Sequence, residues 1–217
     1  MNIEIENNKV YLQGVVDSNP VFNHAVKDEE FYGFNLSVAR LSGQHDIIPI
    51  IIAKRLIEFY NIKRGDNLAV KGQFRSFNKL ENEKRKLILS VFVKEICEWD
   101  EGANPNVVEL NGFVCKPVIY RITPFSREIC DVLLAVNRRF NKSDYIPCIA
   151  WGNNAQIVSQ LNVPSSLKIV GRIQSREYNK LIENSNESVY AESSLLKSFK
   201  RLSTSDNCSY NSFTFSS

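Results

Sequence analysis

The stretch DYIPCIAWG, residues Asp144 to Gly152, has the alternating pattern of a β-strand, and the two faces of this strand differ in chemistry. Successive side chains of a strand point to opposite faces of the sheet. Ile146, Cys148 and Ala150 therefore give one apolar face that suits a core. The opposite face carries Tyr145, Pro147, Ile149 and Trp151. Two large aromatic side chains thus fall on the face that a half-buried strand turns to solvent.

The same strand pattern occurs earlier in the chain, as one of three matches between the two halves of the sequence. The matches are VYLQGVV (Val10–Val16) with VELNGFV (Val108–Val114), DIIPIII (Asp46–Ile52) with DYIPCIA (Asp144–Ala150), and LAVKGQF (Leu68–Phe74) with LKIVGRI (Leu167–Ile173). The first two pairs are offset by 98 positions and the third by 99. Three matches in one order indicate two copies of one domain.

Each copy is predicted to form three strands, a helix and two further strands. In the first copy these segments are Lys9–Asp17, Phe31–Leu41, Ile47–Ala53, a helix from Lys54 to Ile62, Asn67–Ser76 and Lys84–Ile96. Gly14 and Gly112, inside the first strands, predict a bulge or a sharp bend there. Five strands with a helix between strands 3 and 4 are the order of an OB-fold. The predicted fold is mainly β, with two tandem five-stranded OB-fold barrels.

Composition divides the chain into four segments. We predict a first domain over residues 1–96, an acidic linker over 97–106, a second domain over 107–196, and a Ser-rich disordered tail over 197–217. The net charge of +3 is unevenly spread, because residues 107–180 carry 10 basic and 5 acidic side chains. That local excess points to a polyanionic partner or to a merely solvated basic surface.

The second copy resembles the bacterial single-stranded DNA-binding protein family. The resemblance runs through YRITPFSREICDVLLAVNRRFNKSDYIPCIAWGNNAQ (Tyr120–Gln156) and VGRIQSREYNK (Val170–Lys180). The first copy is similar only through KGQF, the IIPIII strand and the following helix. This resemblance implies nucleic acid bound on the outer sheet face, and tandem copies resemble the two-barrel members of that family.

The resemblance implies a set of binding residues, and their chemistry suits the role. Aromatic rings stack on any base, and cations neutralise phosphates. The aromatic candidates are Phe140, Tyr145, Trp151 and Tyr178, with Phe140 expected on the same strand face as Arg138. The basic candidates are Arg121, Arg127, Arg138, Arg139, Lys142, Arg172 and Arg176. The alternative is that these aromatic residues fill a core or a subunit interface.

The first copy lacks these aromatic residues at the matching positions. Ile47 stands opposite Tyr145, and Ala53 stands opposite Trp151. The counterpart of the Phe140 segment, RLSG (40–43), has no aromatic residue and is expected to be shorter. Phe74 and Phe77 remain as aromatic alternatives, with Phe74 expected in the core. These differences favour a division of labour, in which the second domain binds the strand and the first assembles or extends the surface.

The C-terminal segment departs from the family pattern. Residues 181–217 contain 11 Ser and 4 Asn, and only 188–196 is compatible with a short strand or helix. The second barrel is therefore expected to be imperfectly closed or closed by a partner chain. The acidic tail with a hydrophobic tip, which the resemblance would imply for recruiting partner enzymes, is absent.

Several functional classes find no support in the sequence. No phosphate-binding loop, nucleophile elbow or acid–histidine pair indicates an enzyme, and no metal or cofactor site is expected. No apolar run reaches membrane-spanning length, and the N-terminus is no secretory signal.

The predicted function is sequence-nonspecific single-stranded DNA binding in replication, recombination, repair or mobile-element transfer, in the bacterial cytoplasm at the nucleoid. RNA stays open as a ligand, and the resemblance implies a homodimer with four barrels. The alternatives are a protein-assembly module or a replication-restart accessory factor.

Overall fold

The computed structural model describes residues 6–81, 84–175, 179–180, 189–190 and 195–197, which form strands for the most part. The strands of the first half are β1 (Asn8–Val16), β2 (Val21–Val26), β3 (Glu29–Ala39), β4 (His45–Ala53), β5 (Asn67–Glu81) and β6 (Lys84–Cys97). Those of the second half are β7 (Asn106–Val114), β8 (Ile119–Ile122), β9 (Glu128–Asn137), β10 (Ser143–Trp151), β11 (Ser166–Gln174), β12 (Asn179–Lys180), β13 (Val189–Tyr190) and β14 (Leu195–Lys197). The helices are α1 (Lys54–Tyr60) and α2 (Asn153–Ser159).

The strand pairings of the first half run in a cycle. β1 pairs with β5, β5 with β6, β6 with β4, β4 with β3, and β3 with the end of β1. All of these pairings are antiparallel except that of β4 with β6. The helix α1 follows β4 and leads to β5, as the sequence predicts for the connection between strands 3 and 4.

The second half repeats this cycle with β7, β11, β14, β10 and β9. The short strand β14 takes the position that β6 has in the first half, because it pairs in parallel with β10 and antiparallel with β11. This strand lies at the end of the segment for which the sequence predicts a short strand or helix. A strand of the same chain thus completes the cycle at Cys148–Ile149 and Arg172–Gln174.

Two strands, β2 and β8, were not predicted, and they lie at the two edges of the large sheet. β2 pairs with β3, and β8 pairs with β9. Every residue of both strands is exposed, so neither strand has the alternation of apolar and polar residues that reveals a half-buried strand.

The core confirms the predicted inner face of β10. Ile146, Cys148 and Ala150 are buried, and they belong to a cluster of apolar side chains drawn from both halves. The matching first-half strand β4 buries Ile48, Ile50 and Ile52 in the same cluster. Phe74 is also fully buried, as expected.

The glycines of β1 and β7 permit a close approach of two backbones. A Cβ atom on Gly14 would lie 2.4 Å from the Ser37 carbonyl oxygen, and one on Gly112 would lie 2.3 Å from that of Ala135. The register of β1 with β5 continues through Gly14 without a shift, so the bulge offered as one alternative is absent. The glycine instead lets the strand pass from β5 to β3.

The two halves join edge to edge through antiparallel pairing of β1 with β7. Val10 pairs with Val108, which is its own counterpart in the repeat. The flanking pairs are reciprocal, since Asn8 faces Leu110 and Leu12 faces Asn106. An approximate two-fold axis therefore passes between the halves. Among the described residues, neither helix is long and apolar enough to cross a membrane.

Candidate nucleic-acid interface

The outer face of β10 presents two aromatic side chains in different settings. Tyr145 is 48% exposed near the start of the strand, whereas Trp151 at its end is half-buried. Trp151 packs against Ile129 and Ile149, which are buried in a small cluster on this outer face. The two rings stand six residues apart, or about 20 Å along an extended strand. The face is therefore partly self-covered, with one open aromatic residue at its far end.

Phe140 lies in the turn between β9 and β10 and not on a strand. Arg138 N donates to the Lys142 carbonyl oxygen over 2.7 Å, which closes the turn, and Phe140 has a φ of 62°. The expectation that Phe140 shares a strand face with Arg138 is wrong, because β9 ends at Asn137 before the alternation reaches it. Its side chain is 91% exposed. The turn thus holds this ring clear of the sheet.

The corresponding turn in the first half has the same length. Arg40 N donates to the Gln44 carbonyl oxygen over 2.8 Å, as Arg138 N does to that of Lys142. The expectation of a shorter segment is therefore wrong, and Ser42 occupies the position of Phe140. The two turns thus have the same length and different backbones, because φ is positive at Phe140 and Asn141 in the second half and at Gly43 in the first.

The predicted cations divide into groups that lie at different places on the second half. Arg121, Ile129 and Trp151 form a row across β8, β9 and β10. Arg121 also donates to both carboxylate oxygens of Asp131, at 2.8 and 3.3 Å, so an acid already balances its charge. Arg127 is exposed in the turn that follows β8.

A second group of cations surrounds Phe140. Arg139 and Lys142 are exposed in its turn, and Arg138 lies 3.3 Å from a carboxylate oxygen of the buried Asp144. Arg172 is half-buried on β11, away from this turn. The predicted residues Arg176 and Tyr178 lie outside the described residues.

The structure adds first-half cations that the sequence did not point to. A crevice of about 410 Å³ opens between the halves, and we call it the interhalf crevice. Its lining includes Arg75 and Lys94 of the first half together with Arg138, Arg139, Phe140 and Lys142 of the second. Arg75 immediately precedes Ser76, which matches Ser175 of the second half at the offset of 99, so the repeat marks this position. The pairing of the two halves could not be inferred from that match alone.

The first half carries its aromatic residues on other strands. In the second half, Trp151 of β10 pairs with Ile129 of β9. In the equivalent pair of the first half, Ala53 of β4 pairs with Phe31 of β3, so the aromatic ring lies on the other strand of the pair. Phe31 is buried, and its ring centroid lies 5.3 Å from that of Phe92. The guanidinium of Arg75 covers Phe92 at 3.8 Å. This patch therefore offers less open ring surface than Tyr145 and Phe140 do.

Comparisons with known proteins agree with this arrangement of strands. Residues 105–196 match the model of the single-strand binding protein family. The wild-type single-stranded DNA binding protein from Thermus aquaticus is 18% identical with a TM-score of 0.71, and 94% of this chain and 96% of that chain are covered. A deletion mutant of that protein is 19% identical with a TM-score of 0.69, and 93% of this chain and 96% of that chain are covered. These likenesses show a shared mainly β fold of the OB type.

A smaller domain has a higher sequence identity. The N-terminal domain of PriB from Thermoanaerobacter tencongensis is 41% identical, with all of that domain and 44% of this chain covered, at a TM-score of 0.38. No curated protein matches the sequence.

Proposed function

We propose, from the match of residues 105–196 to the model of the single-strand binding protein family, that this protein binds single-stranded DNA with little sequence preference. Bases stack on Phe140, Tyr145 and Trp151, and on Tyr178, which lies outside the described residues. Phosphates are neutralised by Arg138, Arg139, Lys142 and the other predicted cations. The proposed activity is binding, without a catalytic step.

The observation that carries this proposal is the pair of open rings beside unbalanced cations. Phe140 and Tyr145 are separated by only five positions, and Arg139 and Lys142 lie in the same turn without an acidic side chain in that segment. Stacking is indifferent to base identity because every base has a π-face, and phosphate contacts are equally indifferent. Such a surface binds unpaired strands, since the bases of a duplex are already stacked and turned inward.

We further propose that each cycle of strands is a five-stranded OB barrel. The domains would then extend over residues 1–96 and 107–196, with 97–106 as the linker and 197–217 as a tail. The closely matched pairings of β1–β6 and β7–β14 support this division. We propose the second domain as the main binding domain, because the aromatic patch of the first is buried or covered by Arg75.

The proposed setting is the bacterial cytoplasm, at the nucleoid, during replication, recombination, repair or transfer of a mobile element. Two such chains would form a homodimer with four barrels. The exposed edge strands β2 and β8 favour assembly as the second candidate function, because an unpaired strand edge with apolar side chains can pair with another chain. Val21, Phe22, Ile119 and Ile122 are exposed there.

The test is a fluorescence-anisotropy titration of a labelled single strand of ~35 nucleotides, with unlabelled duplex as competitor, at low and high salt. We expect tight binding that duplex does not compete away and that salt weakens. Tyr145→Ala should weaken it about fivefold to a hundredfold, because one stacked base contributes about 1–3 kcal/mol.

Tyr60→Ala is the matched control, because Tyr60 is 47% exposed at the end of α1 and outside the proposed surface. Its affinity should equal that of the wild type. Equal binding to duplex, or no binding, would reject the proposal and favour assembly, which sedimentation of the wild-type chain then measures.

A further inference from the structure

The interhalf crevice is a basic site to which both halves contribute. Asn7 Nδ2 of the first half donates to the Asn137 carbonyl oxygen of the second over 2.7 Å at its wall. Five cationic side chains line it, and no acidic side chain appears among its lining residues. They are Arg75, Lys94, Arg138, Arg139 and Lys142. A concave surface with this charge attracts an anion.

Arg75 is a half-buried cation of the crevice, and it lies near a second guanidinium, that of Arg138. The Arg75 guanidinium lies over the Phe92 ring, and one nitrogen donates to Gln73 Oε1 over 2.9 Å. Burial, together with the nearby charge of Arg138, lowers the pKa of Arg75 to about 10, against the opposing effect of Asp144. Asp144 is thus shared between two guanidinium groups, so one positive charge at this place is unbalanced.

Among the residues that the structure describes, the opposite side of the approximate two-fold axis lacks most of these cations. The repeat places Gln174 where Arg75 stands, Leu41 where Arg139 stands and Gln44 where Lys142 stands. Only Arg138 keeps a cationic counterpart, Arg40, which bonds Asp46 with its Nε at 2.8 Å. Within the described part of the chain, the positive charge is therefore concentrated on one side of the interface.

We propose that the interhalf crevice binds a phosphodiester group of a single strand at the point where the strand crosses from the second half to the first. This rests on the proposed function and extends it to the first half. The planar guanidinium of Arg75 suits two oxygens of one phosphate. Phe140, at the rim, stacks the adjoining base. Because the described residues of the opposite side lack most of these cations, the strand crosses by this route.

The test uses the full chain with oligothymidylates of about 8 and about 35 nucleotides, since one OB fold covers about 4–16 nucleotides. Arg75→Gln copies the residue that stands at the equivalent position, Gln174. We expect it to weaken binding of the long strand by about five- to tenfold and to reduce its log–log salt slope by about 0.7, the value for one phosphate. Binding of the short strand should change less than about twofold.

Two further variants keep the test decisive. Lys94→Gln removes an exposed cation of the same crevice and should also weaken binding of the long strand and reduce its salt slope. This variant tests the proposal even if Arg75→Gln fails to fold. Lys63→Gln removes one charge from the turn after α1, outside the crevice, and should leave the long-strand salt slope unchanged.

The outcomes separate the two proposals. If the wild type binds neither strand, the proposed function fails. If the wild type binds and both crevice variants keep its affinity and slope, the crevice proposal fails and the proposed function stands. An equal loss for short and long strands also overturns the crossing, because it assigns Arg75 to the second half's own surface.

Discussion

Asp144 and Asp46 occupy equivalent positions in the two halves, and both are buried among polar groups of the other half. Asp144 accepts a hydrogen bond from Ser76 N over 2.8 Å, and Asp46 accepts one from Ser175 N over 2.8 Å. Burial raises the pKa of Asp144, and this effect outweighs the hydrogen bond from Ser76 and the charges of Arg138 and Arg75. Both carboxylates thus accept a backbone hydrogen bond from the other half, and Asp144 also lies near the guanidinium of Arg75.

The raised pKa of Asp144 predicts a pH-dependent contribution to stability. The folded protein binds this proton more readily than the unfolded chain, so the stability it provides at low pH is lost as pH rises through the raised pKa. Asp144→Asn removes the titration. The free energy of unfolding of the wild type minus that of the variant should therefore fall as the pH rises above the ordinary aspartate pKa of about 3.9. Urea denaturation at fixed ionic strength measures it.

Asp28→Asn serves as the control, because Asp28 is exposed in the turn between β2 and β3. Its difference from the wild type should show a smaller dependence on pH. A difference for Asp144→Asn that grows with pH would contradict the prediction, since it would mean that folding favours the ionised carboxylate.

Among the strands, β1 and β7 each pair with three other strands over only nine residues. β7 pairs with β1 near its start, with β11 along its length and with β9 at Phe113 and Val114. Gly112 stands just before this change of partner, where the Ala135 carbonyl oxygen leaves no room for a Cβ atom. The strand can take part in both the cycle and the joint between halves because this residue has no side chain.

Gly112→Ala should therefore destabilise the fold by about 1–3 kcal/mol, because the new methyl group forces β7 and β9 apart. Gly102→Ala is the matched control, since its Cβ atom would meet only a side-chain oxygen of Asp100 at 3.4 Å. That change should stay within about 0.5 kcal/mol of the wild type. Chemical denaturation of both variants gives the comparison. Equal stabilities would refute the steric account.

At the scale of the whole molecule, the halves are joined by reciprocal hydrogen bonds in addition to the β1–β7 pairing. Ser76 Oγ accepts from Tyr145 N over 2.7 Å, and Ser175 Oγ accepts from Ile47 N over 2.9 Å. The same atoms of the repeat thus bond across the interface in both directions, so the joint is self-complementary.

Ser76→Ala and Ser175→Ala should each lower the free energy of unfolding by about 1 kcal/mol, because each leaves a backbone N–H of the other half without its acceptor. The double variant should lose about 2 kcal/mol in the same urea titration. Ser159→Ala is the control, because the Ser159 hydroxyl donates to the Gln156 carbonyl oxygen within α2. If the double variant is as stable as the Ser159→Ala control, these hydrogen bonds do not hold the halves together.

The features predicted correctly from the sequence are those that follow from local periodicity and from the internal repeat. The inner face of β10 was correct because Ile146, Cys148 and Ala150 are all apolar and occupy alternate positions. The position of Phe140 was wrong because a turn with positive φ interrupts that alternation without a glycine to mark it. Arg75 was missed because it meets Arg138 and Asp144, more than 60 positions away, only through the joint between the halves. β2 and β8 were missed because they bury nothing.

The β1–β7 pairing also has a consequence for how this surface can change over evolutionary time. In a symmetric dimer of identical chains, a mutation near the axis appears twice, and both sides must tolerate it. Here both paired strands are encoded in one polypeptide, so each side of the axis can mutate independently. Arg139 and Leu41 are the result of that freedom, as are Arg75 and Gln174. Dilution cannot separate such partners, and one gene therefore fixes both the pairing and its asymmetry.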